Sequence, residues 1–498
     1  MSRTLVISAI ICAAALTLSI QHSSLWADEA FSAWLASHQS LSSFGWSLFH
    51  GDSSDLQMGA YYLYLFGWVK AFGASEYALR AANIPFILIF SFSIVWISSV
   101  IFRSRVAWVA PALLPFVWHY ASEARPYMAI LALSTAALAS LLGFIHLPAP
   151  ANKNLPWICL TSVFLGSCFH MLALLPVPPL LLLAWSNRLK WREWIPAFRV
   201  FAVPFLALAA FIVFTFMRGT AYDYPSPGLR QMASVVYELS GLSGFGPNRK
   251  FALDFRPYLV PVTLAAVALV MASVCAWIAT RKLLPGLGAA VGLAIAEAIV
   301  LSVILQKQID VRHLAALIPL LFILLMAAME RPSASAVTAM LLFAGVWLAA
   351  DIRLALLPEY QKEDYRDAVA KAISLQKQSG GAIALAADPV AAAYYGMRII
   401  GDAPCFPIRQ NCAEAFARAG WDRGPDALDA EQWPASRIDS WLQLQHDDVV
   451  FFGQLDRRHQ NSAWWPVVKS NGATVTAVHG FDIDVLRRGD LSGRSGRP

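Results

Sequence analysis

From 127 to 147 the chain carries no acidic or basic side chain except His146, and comparable stretches recur along its length. About twenty apolar residues are what a helix needs to cross the hydrocarbon core of a bilayer. Segments approaching that length fall near 4–20, 83–102, 106–120, 127–147, 156–169, 171–186, 197–217, 257–280, 285–306, 313–330 and 335–351. Apolar length with Pro or charge punctuation marks them, which predicts about eleven spans. Two of them, 156–169 and 171–186, are short; His170 divides them and Pro176, Pro178 and Pro179 bend the second. Charged residues make up 14% of the sequence and hydrophobic ones 58%, against roughly 25% charged in soluble domains. An all-α polytopic membrane protein is the fold class this dictates.

Arg3 followed by Leu5 to Ile20 looks like a signal peptide, but no small-x-small cleavage site follows, so an uncleaved first span is expected. Basic residues in short loops set orientation. With the N-terminus in the cytoplasm, Arg3, Arg103, Arg105, Lys153, Arg188, Lys190, Arg192, Arg199, Arg281, Lys282 and Arg331 lie inside. The short outer turns then hold Arg125, Lys307 and Arg312. An odd number of spans places loops 21–82 and 218–256, and everything after Asp351, on the outer face.

Residues 1–351 are therefore read as the transmembrane domain, 352–486 as a small α/β domain outside the membrane, and 487–498 as a disordered basic tail. Within 352–486 a polar helical pattern covers 359–376, and strands are expected at 382–387, 449–452 and 475–485. Loop 21–82 is too apolar for free solution; 56–72, with Tyr61, Tyr62, Tyr64 and Trp68, reads as a helix lying in the membrane interface. Loop 218–256, rich in Pro and Gly, has the irregular character of a lid or substrate contact.

A net charge of +6 gives no reason to expect a nucleic-acid partner; membrane lipids account for it. No Cys or His cluster has metal-site spacing. Cys405 and Cys412 lie in the outer domain, in an oxidising compartment, where a local disulfide is expected.

Chemistry needs polar groups, and few stand near the outer face. Asp28 and Glu29 follow the first span. An acid there can act as general base toward an acceptor hydroxyl, or hold a divalent cation beside a phosphate; equally, the pair suits the start of a helix, where negative charge meets the positive dipole end. Glu123 and Arg125, in the turn before Tyr127, are costly near hydrocarbon unless paired with each other or functional. Arg312, beside His313, could clamp a phosphate through its guanidinium or snorkel to lipid headgroups. His50 and His170 are weaker candidates, and Glu297 stands within a span.

The order of these elements resembles the GT-C glycosyltransferases that use polyprenyl-phosphate sugars, in the bacterial branch related to protein O-mannosyltransferases and the lipid A aminoarabinose transferase. The residues that carry the resemblance are Asp28-Glu29, the run Tyr61-Tyr62-Leu63-Tyr64, Phe72 to Arg80, Glu123 to Tyr127, His170, Arg312-His313 and Glu363 to Arg366. The segment before the aromatic run departs from it: many relatives have His-Pro-Pro-Leu-Tyr there, whereas this chain reads Asp55-Leu56-Gln57-Met58-Gly59-Ala60-Tyr61. The resemblance implies a bacterial inner-membrane enzyme working on the periplasmic face. It would transfer a sugar, with inversion, from a polyprenyl-phosphate donor to a lipid, polysaccharide or protein acceptor. Asp28 would be the base with Glu29 supporting it, and Arg125 and Arg312 would hold the donor phosphate. His50, Tyr61, Tyr62, Glu76, Arg80, Glu123, Tyr127, His170 and His313 would line the site. A transporter or flippase of lipid-linked sugars would use the same arginines without needing a base; transporters usually show repeat symmetry, and this sequence has no internal repeat.

Overall fold

The computed structural model describes the chain except residues 1–2, 22, 52, 149–150, 219–234, 246–283, 306–309, 328–333, 358–361, 402–403, 406–407, 409, 430, 456–462, 471–473 and 488–498. The described part is mostly helical, with one six-stranded sheet and a two-stranded one toward the C-terminus. It divides into two compact units: residues 1–21, 57–61 and 80–360 form one, and 22–56, 62–79 and 361–498 the other.

In the first unit the helix Tyr127–His146 is buried along nearly its whole length and packs against Leu155–Phe169 and Ile84–Trp96. Small residues on that helix permit the approach, since in lipid close packing rather than a hydrophobic drive holds helices together. Gly143 shows how tight it is. A Cβ there would sit 2.6 Å from the Trp96 ring and 2.9 Å from Leu155.

Among the described residues, three helices are long and apolar enough to cross a bilayer: Glu76–Ile101, Tyr127–His146 and Ile195–Met217. Shorter apolar helices occupy Arg3–Thr17, Leu155–Phe169, Met171–Ser186 and Leu287–Leu301. The expected span 106–120 is instead two short helices, Val109–Ala112 and Pro115–Ala121. Pro115 is the cause. The residue before a proline is pushed from helical backbone, and Leu114 is extended at φ −64°, ψ 123°. Most of loop 218–256 and the whole of span 257–280 lie outside the described residues.

The second unit is built on a sheet of order β2-β5-β1-β6-β8-β7. Its strands are β1 (Ile383–Ala386), β2 (Arg398–Ile400), β5 (Asp426–Asp429), β6 (Val449–Gln454), β7 (Thr474–Val478) and β8 (Phe481–Leu486). The first four run parallel and the last two add antiparallel, with Phe451 opposite Asp484. β1 and β6 are buried at every position, as parallel strands covered on both faces must be. The expected strands at 382–387, 449–452 and 475–485 coincide with β1, β6 and the β7–β8 hairpin. A short antiparallel pair, β3 (Pro404–Cys405) and β4 (Gln410–Asn411), precedes the helix Cys412–Ala419. Cys412 is disulfide-bonded; the side chain of Cys405 is outside the described ones.

The first-loop helix Ala27–Ala36 belongs to this unit, where it packs on Pro389–Tyr394 and on Cys412–Ala419. Trp34 is wholly buried there and its Nε1 donates to the Ala415 carbonyl at 3.1 Å. Glycine is obligatory at the entry to β1, where a Cβ on Gly381 would lie 1.4 Å from the Asp448 carbonyl oxygen.

Candidate functional site

In the membrane unit, a polar cluster gathers the predicted residues Glu123, Arg125, Tyr127, His170, Arg312 and His313. The turn carrying Glu123 and Arg125 is held by one amide: Asn83, fully buried, donates from Nδ2 to the carbonyls of Tyr120 (3.3 Å), Ala121 (3.2 Å) and Glu123 (2.7 Å). Arg125 closes the turn with its backbone N–H on the Glu123 carbonyl at 2.7 Å. Glu123 and Arg125 are both buried, and His119 Nε2 stands 4.0 Å from Glu123 Oε2.

From the other side of the sequence, the single turn Val311–Leu314 brings Arg312, whose Nε lies 3.5 Å from Asp310 Oδ2. The Arg312 guanidinium is 5.9 Å from the Tyr127 ring centre, within reach of a cation–π contact. Tyr127 in turn lies 6.4 Å from the His170 ring. His313 Nδ1 bonds the Asp310 backbone N–H at 3.0 Å, which fixes this turn.

His170 occupies the turn between two helices, buried, with Nδ1 accepting from the Leu172 N–H at 3.2 Å. Burial first, then the nearness of His313, Arg125 and Arg312, hold its imidazole far below the usual range, at about 3. Tyr61 and Arg80 belong to the same unit: Tyr61 packs edge-on against Phe169, and Arg80 Nη1 donates to the Gln21 carbonyl at 2.9 Å.

The second unit holds Asp28, Glu29, His50, Tyr62 and Glu76. Asp28 and Glu29 form the first turn of the helix Ala27–Ala36, where their charge suits the dipole. They differ in environment. Asp28 is half-buried, whereas Glu29 is wholly buried and receives Lys362 Nζ on Oε2 at 3.4 Å. The Lys362 ammonium also lies 5.0 Å from the Trp26 ring centre.

Glu76 is gripped from two sides. Arg366 binds both its oxygens, and Tyr395 Oη donates to Oε1 at 2.5 Å. The bond to Glu76 raises the Arg366 value; burial, then Glu76, raises that of Tyr395. Tyr62 is buried and donates to Asp55 Oδ1 at 2.9 Å. His50 is exposed, stacked at 4.1 Å on Trp46, with Nδ1 on the Trp46 carbonyl at 2.8 Å. Among the described residues, no group of three His, Cys, Asp or Glu is placed to hold a metal ion.

Sequence reasoning missed Asn83, Lys362 and Tyr395. An amide at the mouth of an apolar span is a signal that could have found Asn83. Nothing local marks Lys362, whose partner is 333 residues away.

No family model and no curated protein sequence matches the chain. Its fold is similar to the crystal structure of ArnT from Cupriavidus metallidurans in the apo state, with TM-score 0.56 and 12% identity over 98% of both chains. The same protein bound to undecaprenyl phosphate matches with TM-score 0.54, 12% identity and the same coverage. A looser match, TM-score 0.40 at 15% identity, is the mycobacterial arabinofuranosyltransferase AftD, covering 98% of this chain and 42% of that one.

Proposed function

We propose that this protein is an integral membrane glycosyltransferase. It moves a sugar from a polyprenyl-phosphate donor to an envelope acceptor on the periplasmic face of the bacterial inner membrane. The observation that carries this reading is the cluster of buried Arg125 and His170 with Arg312, whose guanidinium lies against the Tyr127 ring that neighbours His170. A phosphate ester is the ligand such a lining favours, because guanidinium groups bond phosphate oxygens in bidentate fashion and burial strengthens the attraction. The likeness of fold to a protein solved with undecaprenyl phosphate supports a polyprenyl chain as the rest of that ligand.

In this reading Arg125 and Arg312 hold the donor phosphate and stabilise it as it leaves. Asp28 takes the proton from the acceptor, which attacks the anomeric carbon from the opposite side and inverts it. Neutral His170, with Tyr127, lines the phosphate end and adds no charge. Residues 1–351 form the catalytic membrane domain, with the N-terminus inside, and 352–486 the periplasmic domain, with Cys405 and Cys412 joined.

Mass spectrometry of envelope glycolipids and glycoproteins tests it, comparing cells with the protein, without it and with Asp28→Asn. A species heavier by one sugar is expected only with the wild-type protein. Replacing Arg125 or Arg312 by Ala is expected to lower that species by about 100–1,000-fold, the scale of one lost donor to the transition-state charge. Wild-type levels with Asp28→Asn at normal expression would sink the assignment of the base.

A further inference from the structure

The strand edge where open α/β sheets bind their ligands is already filled in this protein. Ligands of such sheets sit beyond the carboxyl ends of adjacent parallel strands. Here Asp388 stands two residues beyond the end of β1 and Gln454 ends its neighbour β6, both buried. Asp388 caps the helix that follows, accepting from Val390 N and Ala391 N at 3.0 Å each. Gln454 accepts from Tyr365 Oη at 2.5 Å and donates to Glu363 Oε1 at 3.4 Å. The segment 362–366 thus lies over the edge a small molecule would need.

That segment is firmly held. The Asp364 backbone N–H donates to the His479 carbonyl at 3.1 Å, and its carboxylate caps the helix through Asp367 N at 3.2 Å. From this base two cations, four residues apart, reach first-loop carboxylates: Lys362 to Glu29, and Arg366 to Glu76. The Arg366 backbone N–H also meets Ser24 Oγ at 3.3 Å, and Leu25 N–H meets Tyr395 Oη at 2.7 Å. The segment 362–366 is therefore tied to the first loop at Ser24, Glu29 and Glu76.

We propose that Lys362 is a positioning residue. Through its ion pair with buried Glu29 it sets the first turn of the helix Ala27–Ala36 and so the place of Asp28. Glu29 is thereby committed to structure, and the proton-accepting role falls to Asp28. The proposal rests on the glycosyltransferase reading for its consequence, while its geometry stands apart from it. Removing the ammonium takes that cation from the buried Glu29 carboxylate, a destabilising change relieved by protonating the acid or by moving the helix.

The test uses the full chain in lipid nanodiscs and in cells, with Lys362→Met, Lys362→Arg, Glu29→Gln and Asp28→Asn. In Lys362→Met, amide exchange across 27–36 is expected to speed up about tenfold. The one-sugar product should fall about 10–100-fold, as displaced catalytic groups do. Lys362→Arg should restore both, and Glu29→Gln, which removes the same pair from the other side, should add little to Lys362→Met. Wild-type exchange and product in Lys362→Met, with Asp28→Asn inactive, overturns the positioning role and leaves the enzyme reading intact. Faster exchange in Lys362→Met, with no sugar product traceable to the wild-type protein, upholds the positioning and overturns the enzyme reading. If Lys362→Met does not accumulate, Glu29→Gln carries the same two measurements.

Discussion

At the scale of single residues, Asp484 marks where the six-stranded sheet carries an electrostatic load. It is buried on β8, its Oδ1 has no hydrogen-bond partner among the described residues, and burial with neighbouring Asp482 pushes its value up to about 6. An acid whose folded value exceeds its unfolded one binds protons more readily when folded. The penalty is absent below about pH 4, where both states are protonated. It grows between about pH 4 and 6 and is constant above. Asp484→Asn should therefore stabilise this unit by roughly 1–3 kcal/mol at pH 7 and by nothing at pH 3.5. Urea unfolding followed by tryptophan fluorescence at the two pH values checks the sign. An equal gain at both would trace the effect to packing instead.

Among elements, the turn from Tyr120 to Arg125 owes its shape to Asn83. One side-chain amide satisfies three carbonyls that leave the helical ladder. Asn83→Ala leaves them buried without a donor, at a cost of about 1–3 kcal/mol, and frees the turn that presents Arg125. Its expected signature is a loss of product close to that of Arg125→Ala, together with a lower unfolding temperature. The polar turn itself was legible, because Glu123 and Arg125 interrupt apolar sequence. So were β1 and β6, as short apolar runs with Asp388-Pro389 closing the first. The division of 106–120 was harder to see, since Pro111 and Pro115 sit in a run whose hydropathy is unbroken. The differing fates of Asp28 and Glu29 could not be read at all: adjacent carboxylates look alike until Lys362 is placed beside one of them.

For the whole molecule, the chain is woven rather than arranged end to end. Residues 22–56 and 62–79 belong to the unit of 361–498, while 57–61 belong to the membrane unit. A division at residue 351 describes the composition change but not which parts of the chain pack together. If the second unit faces the periplasm, protease added to spheroplasts should cut within it and leave the N-terminus protected, and inverted vesicles should give the reverse pattern. Epitope tags at the two ends, read on immunoblots, distinguish the cases; cleavage of the second unit in inverted vesicles would refute the orientation.

The bond between Lys362 and Glu29 also has a dimension in time. Their separation is 333 residues, and at about 5–20 residues per second the ribosome needs roughly 15–70 s to cover it. During that interval the first loop is already made, but the cation that meets Glu29 is not. Its final shape is a late event of synthesis, completed only when the last third of the chain emerges.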